Sequence, residues 1–158
     1  MADKYLIALE INEVQEGAVL EKLPLHSTVM HWFEVGRPAD TIVDVVHAVA
    51  DEQPPVLMVS GDADLFGPSG DVPVNRIRNA EPVASLHRKL FAKLSDTDVQ
   101  HEAPQWTLEG FNPHVSVVNG ERFNTGDRHL ATHIYAVVAD ADNSQKKHVI
   151  TRAELKGE

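Results

Sequence analysis

Two short segments of this chain place a histidine two residues before a hydroxyl side chain. The first is His26-Ser27-Thr28 and the second is His114-Val115-Ser116. Both lie in runs rich in β-branched and aromatic residues, which favour β-strands. Because side chains two apart in a strand project from the same face, each histidine points together with its hydroxyl. The chain therefore offers two imidazole–hydroxyl pairs.

These pairs contain the groups that cleavage of a phosphodiester requires. The reaction needs a base for the attacking oxygen, an acid for the leaving oxygen and donors for the non-bridging oxygens. Histidine has an unperturbed pKa of about 6.5, so one imidazole can be neutral while the other is protonated. Thr28 and Ser116 would hold the phosphate by hydrogen bonds. This design calls for no metal ion and no other cofactor.

The elements that must position these residues indicate an α+β fold. Apolar residues at helical spacing predict one helix that begins near Asp40 and stops at Gln53-Pro54-Pro55, and a second over about residues 81–94. Apolar, β-rich runs bounded by turn signals predict strands at residues 5–11, 25–35, 56–60, 72–78, 111–118, 131–139 and 147–155.

Turn signals separate these strands. A turn-rich stretch follows residue 60 and runs through Gly67-Pro68-Ser69-Gly70, Asn119-Gly120 closes the strand with the second histidine, and Asp140-Ala141-Asp142-Asn143 is a polar turn. The layout suggests two loosely similar halves, each with a helix and a histidine-bearing strand.

Composition limits the class of protein. The chain has 158 residues, 42% of them apolar, which is enough for one core, so we expect one domain over residues 1–158. No apolar run approaches the roughly 20 residues that cross a bilayer, and the first residues lead into a strand rather than a signal-peptide core, so we expect a cytoplasmic protein without membrane contact. The net charge of −10 argues against binding of long duplex nucleic acid but permits small anionic ligands in a cleft.

Six further residues are candidates for contacts with a substrate. Alternation in the first functional strand places Met30 and Trp32 on the face of His26, so that Trp32 could stack on a base, with an ordinary core tryptophan as the alternative. The same two interpretations apply to Tyr135, as they do to Phe66 and Trp106. Arg76 and Arg78 share a face of their strand and could hold a second phosphate, or lie on a solvated edge strand.

The other polar candidates are interpreted as structural. His129 and His133 are four residues apart but fall at a junction between a turn and a strand, and Asp62 and Asp64 fall in a turn-rich stretch, as do Asp140 and Asp142. We expect all of these carboxylates to be solvated. None of the remaining histidines shows a metal-binding spacing, and surface or partly buried positions are expected for His31, His47, His87, His101, His129, His133 and His148.

The segments LPLHSTVMHWFEVG and GFNPHVSVVNG resemble the 2H phosphoesterase superfamily, which includes bacterial LigT-like 2′-5′ RNA ligases and cyclic phosphodiesterases. The similarity extends over the strands between them and the helix VASLHRKLFAKL, from Tyr5 to about Val138. It implies a bilobed fold with pseudo-two-fold symmetry, in which two antiparallel sheets form a central cleft, helices lie outside and the two lobes are interleaved in one domain.

The resemblance also implies an activity and its residues. His26, Thr28, His114 and Ser116 match the catalytic positions of a metal-independent enzyme that hydrolyses 2′,3′-cyclic phosphates or 2′-5′ linkages of small nucleotides or RNA ends, expected here as a monomer. Val117-Val118-Asn119-Gly120 replaces the segment that leads to a basic residue in many members. Two alternatives stay open: degradation of cyclic oligonucleotide second messengers, as in some phage members, and a nucleotide-binding module without catalysis.

Overall fold

The computed structural model describes residues 3–140 and 143–158 and contains two antiparallel sheets. The first sheet has the order β2-β10-β9-β1-β3-β6 and the second has the order β7-β5-β4-β8. The strands are β1 (Lys4–Glu10), β2 (Val19–Leu20), β3 (His26–Glu34), β4 (Val56–Phe66), β5 (Val72–Ile77), β6 (Gln100–His101), β7 (His114–Ser116), β8 (Arg128–Ala131), β9 (His133–Asp140) and β10 (Asn143–Glu154).

Two helices, α1 (Ala39–Glu52) and α2 (Ala80–Leu94), cover one side of these sheets. Their apolar stripes, represented by Ile42 and Leu86, are completely buried in one core with Ile7 and Phe33 of the first sheet and with Val115 of the second. A smaller cluster that includes Leu6, Ala8 and Tyr135 lies on the other face of the first sheet. No helix in the described part of the chain is both long and apolar enough to cross a membrane.

The α+β class, the two antiparallel sheets and the outer helices predicted from the sequence are confirmed. The Asn119-Gly120 turn is also confirmed: both residues have positive φ, and Val118 and Glu121 exchange backbone hydrogen bonds across it. Ala141 and Asp142, the centre of the predicted polar turn, lie outside the described residues.

Three predicted boundaries were wrong. β4 continues through Asp62 and Asp64, for which the sequence predicts a turn, because it pairs with β5 as far as Phe66. The single strand predicted at residues 131–139 is divided at Thr132 between β8 of the second sheet and β9 of the first. The second functional strand contains only His114–Ser116, because pairing with β5 is limited to these three residues.

Strand β3 does not alternate regularly beyond Thr28. Thr28 lies opposite Ala8 of β1 and Met30 lies opposite Ile7, so Val29 has no partner residue in β1. Val29 and Met30 are both completely buried against the core beneath the helices. An extra residue of this kind is a β-bulge, which changes the face on which later side chains lie. The prediction that Met30 shares the face of His26 was therefore wrong.

A buried ion pair joins the end of β1 to β10. The Arg152 guanidinium donates two hydrogen bonds of 2.8 Å to the Glu10 carboxylate, which also accepts the Val14 amide. Only 7% of Glu10 is exposed. Burial raises the pKa of Glu10, but the bonds from Arg152 and Val14 lower it by more. The pKa of Glu10 therefore lies below its usual value of 4.5. The pair fixes the loop after β1 against the first sheet.

We expect Arg152→Met to lower the free energy of unfolding by about 3 kcal/mol at neutral pH, because Glu10 would remain buried without its counter-charge. Since the folded pKa of Glu10 is depressed, its stabilising effect is present above pH 4.5 and is lost as the pH falls through the folded value. Urea denaturation of wild type and Glu10→Gln at several pH values measures this, and their difference should shrink below pH 4.5. Arg88→Met, which breaks the exposed pair with Glu81, is the control and should change stability by less than about 1 kcal/mol.

Candidate active site

The first imidazole–hydroxyl pair lies at the start of β3. His26 and Thr28 are partly buried on one face, whereas Ser27 between them is completely buried on the other. The strand follows Pro24-Leu25, and the Leu25 side chain packs into the core, which fixes where β3 begins. His26 lies opposite Glu10 in the ladder with β1.

The second pair is on β7 and repeats this arrangement. His114 and Ser116 are partly buried, and Val115 between them is 1% exposed and packs in the helix-covered core. The strand is held by β5, in which Arg76 lies opposite His114 and Val74 lies opposite Ser116. Thus alternation in each strand buries its middle residue and turns the histidine and hydroxyl to the other face.

A side-chain hydrogen bond brings the two strands together. The buried Ser27 hydroxyl donates to the backbone carbonyl of His114 at 3.0 Å. Ser27 lies between the two residues of the first pair, and His114 belongs to the second pair. The residues of the two motifs, distant in sequence, therefore meet at one place between the sheets.

The two rings are anchored in the same way. His26 Nδ1 lies 2.8 Å from the carbonyl oxygen of Pro24, and His114 Nδ1 lies 2.7 Å from that of Asn112. A carbonyl oxygen only accepts, so Nδ1 carries a proton in both rings. Nε2 of each ring has no hydrogen-bond partner within the described residues. Each neutral ring thus keeps the lone pair on Nε2, the atom available for proton transfer.

Burial lowers the pKa of both histidines below 6.5, although the carbonyl contacts oppose this shift. The positive charge of Arg76 further lowers the pKa of His114, and a charge on His114 further lowers that of His26. Protonation of one ring therefore disfavours protonation of the other. A bound phosphate anion would reverse these effects, because an opposite charge favours the protonated form.

The hydroxyl groups of Thr28 and Ser116 have no hydrogen-bond partner in the part of the chain that the structure describes. Both residues are partly exposed, so water can satisfy them in the free protein. A hydroxyl without an internal partner can turn its proton to an anionic oxygen.

A cavity of about 550 Å³ adjoins His114, and its walls are mainly aromatic and aliphatic. The Phe66 ring meets the His114 ring edge-on, with centroids 4.6 Å apart. The His31 ring also neighbours the His114 ring, with centroids 6.2 Å apart. The centroid of the His31 ring is in turn 5.7 Å from that of the Trp106 ring. Val72 also lines the cavity. No carboxylate lines this cavity among the described residues. Its shape and polarity suit a flat, uncharged ring.

The bulge in β3 explains why sequence reasoning missed His31. Regular alternation favoured Trp32 as the cleft residue, but Trp32 packs against the smaller cluster that includes Leu6 and Tyr135. His31 lines the cavity, and burial together with the charge of His114 lowers its pKa to about 4. A neutral ring is therefore present there at neutral pH. Only the register with β1 could have revealed this position.

The other predicted contact residues are placed differently. Tyr135 is completely buried in the smaller cluster, with no partner for its hydroxyl among the described residues, so it lies too deep for a ligand in the cavity. Arg76 is on the face of His114, but Asp64 binds its guanidinium at 2.6–2.7 Å and Asn112 accepts a further bond at 3.2 Å. Arg78 is exposed beyond the end of β5. β5 lies between β7 and β4, so it is not an edge strand.

No group of three or more histidine, aspartate or glutamate side chains within residues 3–140 and 143–158 could hold a metal ion. His129 and His133, four apart in sequence, lie on strands of different sheets and contact the Glu10 carbonyl and the Thr132 hydroxyl respectively.

Comparison with known proteins identifies the family and the fold. The family model of the 2′-5′ RNA ligase superfamily matches residues 6–146. Among solved structures, TT0787 of Thermus thermophilus has a TM-score of 0.64 at 16% identity, covering 98% of this chain and 99% of that chain. E. coli LigT complexed with 3′-AMP has a TM-score of 0.65 at 14% identity with the same coverage, and its complex with ATP has a TM-score of 0.57 at 12% identity, covering 98% of each chain. No curated protein sequence matches the chain.

In the free protein we expect His26 and His114 to titrate below pH 6.5 and His31 near pH 4, because burial disfavours the charged rings. Inorganic phosphate should raise the first two values by stabilising the imidazolium. NMR titration of the side-chain signals measures this, with His→Gln variants for assignment. A value at or above 6.5 for either site histidine in the free protein would contradict the burial argument.

Proposed function

The chain belongs to the 2′-5′ RNA ligase superfamily, and from this premise we propose that it hydrolyses 2′,3′-cyclic phosphates or 2′-5′ linkages of small nucleotides or RNA ends. The observation that carries the proposal is the convergence of two identically anchored imidazoles through the contact between Ser27 and His114. Each ring presents Nε2, and each has a hydroxyl two residues away for the phosphate oxygens. His26, Thr28, His114 and Ser116 are the proposed catalytic residues.

The apolar cavity supports a nucleoside as the other part of the substrate. Three aromatic rings, those of His31, Phe66 and Trp106, surround a space suited to a base, and stacking is tolerant of base identity. LigT, which shares the fold at low identity, has been crystallised with 3′-AMP, with NADP+ and with ATP. The net charge of −10 also favours compact substrates over long nucleic acids.

The position of the cavity supports different roles for the two histidines, with His26 proposed as the base and His114 as the acid. In an in-line displacement, the attacking water and the leaving ribose oxygen lie on opposite sides of phosphorus. The cavity adjoins His114, so a nucleoside bound there places its ribose oxygen towards His114. His26 then removes a proton from water as water bonds to phosphorus. His114, protonated at Nε2 when the bound phosphate anion raises its pKa, donates that proton to the ribose oxygen as the bond between this oxygen and phosphorus breaks. Thr28 and Ser116 donate hydrogen bonds to the non-bridging oxygens.

We expect the wild-type protein to convert 2′,3′-cyclic nucleotides to nucleoside monophosphates in excess chelator, and His26→Ala or His114→Ala to lower kcat by about 10² to 10⁴. Chromatography of the products measures turnover. His47→Ala is the control, because His47 is exposed on α1 and contacts Thr151, and it should keep full activity.

Full turnover by either site variant would rule out the mechanism. Turnover of cyclic oligonucleotides alone would favour the second-messenger alternative, and binding without product would favour a non-catalytic module.

The assignment of acid and base has its own test. A p-nitrophenyl phosphodiester has a leaving group that departs without a proton, so the acid becomes dispensable while the base does not. We express the kcat of each variant as a fraction of the wild-type kcat on the same substrate. For His114→Ala we expect this fraction to be at least about tenfold larger on the p-nitrophenyl ester than on a cyclic nucleotide. For His26→Ala we expect the same fraction on both substrates. Recovery by His26→Ala instead would reverse the two roles.

A further inference from the structure

His87 of α2 is a buried histidine that the proposed reaction does not use. It is 1% exposed, and its ring lies parallel to Phe111 with centroids 4.1 Å apart and an interplanar angle of 3°. Nδ1 is 2.7 Å from the carbonyl oxygen of Val29, and Nε2 is 3.0 Å from the backbone nitrogen of Leu108. Both nitrogens are therefore bonded to backbone groups of other elements.

These partners allow a single form of the ring. The Leu108 amide donates, so Nε2 must keep its lone pair, and the Val29 carbonyl accepts, so Nδ1 must carry the proton. A protonated imidazolium would turn an N–H towards the Leu108 N–H and lose that bond. Burial lowers the pKa of His87, and the neighbouring charge of Arg88 acts in the same direction against the opposing effect of the Val29 carbonyl. The neutral ring is thus the form that the surroundings favour.

The two backbone groups belong to the two segments that carry the lining residues His31 and Trp106. Val29 is the bulge residue of β3 without a partner in β1, and it lies two residues before His31. Leu108 belongs to the segment 104–110, which consists of two short 3₁₀ helices, Pro104–Trp106 and Leu108–Gly110, and carries Trp106. His87 therefore connects the wall formed by His31 to the wall formed by Trp106.

The segment 104–110 needs such an anchor. Leu108 has φ of 54°, a left-handed conformation that costs about 1 kcal/mol or more for a residue of this type. A Cβ added at Gly110 would lie 1.9 Å from the carbonyl oxygen of Gln105, so the turn closes tightly on itself. Trp106 and Leu108 are both more than 40% exposed. Their side chains therefore hold the segment less firmly than completely buried side chains would.

We propose that His87 is a positioning residue that sets the spacing between His31 and Trp106 and thereby the affinity of the site for the nucleoside part of its substrate. The proposal rests on the proposed function, because it takes the cavity to bind a nucleoside. His87 does not contact the substrate; it acts through the Val29 carbonyl and the Leu108 amide. Loss of the bond to Leu108 releases the Trp106 wall while the two catalytic pairs stay in place.

The test compares His87→Asn with wild type on two cyclic phosphodiesters. The asparagine amide can still donate to Val29 but is too short to accept from Leu108. We expect KM for a 2′,3′-cyclic nucleotide to rise about tenfold with kcat within about twofold, and kcat/KM for glycerol cyclic phosphate, which lacks a base, to stay within about twofold. A general structural defect would impair both substrates equally, and that result would overturn the proposal.

Two further variants address the same spacing without altering the buried ring. Gly110→Ala must displace the segment, because its Cβ collides with the Gln105 carbonyl, and it should raise KM for the nucleotide in the same selective way. Leu108→Asn is the matched control, since it keeps the amide donor and tolerates the left-handed conformation, and its KM should be unchanged. If His87→Asn fails to fold, an unchanged KM in Gly110→Ala overturns the proposal.

A binding measurement separates this proposal from the proposed function. In a Trp32→Phe background, Trp106 is the single tryptophan, and adenosine 3′-monophosphate should quench its fluorescence. His87→Asn should shift the midpoint of quenching about tenfold, whether or not the protein turns over cyclic phosphates. Quenching without turnover would refute the proposed activity alone, whereas an equal midpoint in wild type and His87→Asn would refute the role of His87.

Discussion

The hydroxyl of Ser27 donates to the carbonyl of His114, and this buried contact joins the two strands that carry the candidate site. β7 has three residues and pairs with β5 alone, so its position relative to β3 depends on packing of Val115 in the core and on this bond. Ser27 is completely buried, so its hydroxyl would cost about 1–3 kcal/mol if it lost this acceptor. It holds the strand that carries His26 beside the strand that carries His114.

The site is symmetric in its anchors and asymmetric in its surroundings. Each imidazole donates Nδ1–H to the carbonyl two residues earlier, and each has a hydroxyl two residues later. However, His26 lies opposite Glu10, whereas His114 lies opposite Arg76 and beside the aromatic cavity. Two equivalent groups can perform opposite proton transfers only if their surroundings differ. In the proposed reaction, the cavity and these neighbours supply that difference.

An irregularity in β3 at Val29 affects which residue this strand contributes to the cavity. The bulge at Val29 buries two consecutive side chains, brings His31 to the cavity and leaves a backbone carbonyl for His87. Bulges of this kind are common next to active sites, where they redirect a side chain. Here the redirected residue is a neutral histidine with a pKa of about 4, whose ring is stacked on that of His114 and tilted against that of Trp106. A regular strand would have left the two imidazole–hydroxyl pairs without this neighbour.

The sequence by itself determined the two helices, most strands, the α+β class and the faces of His26, Thr28, His114 and Ser116, because these depend on local periodicity and alternation. Only the tertiary structure decided that Trp32 and Tyr135 pack away from the cavity and that Asp64 belongs to a strand and neutralises Arg76. It also decided that His31 and Phe66 line the cavity and that His87 bonds to the backbone of β3 and of the segment 104–110. These features depend on the register between strands and on contacts between residues far apart in the chain. A bulge is visible only against a partner strand, and a histidine's role is fixed by the groups that meet its two nitrogens.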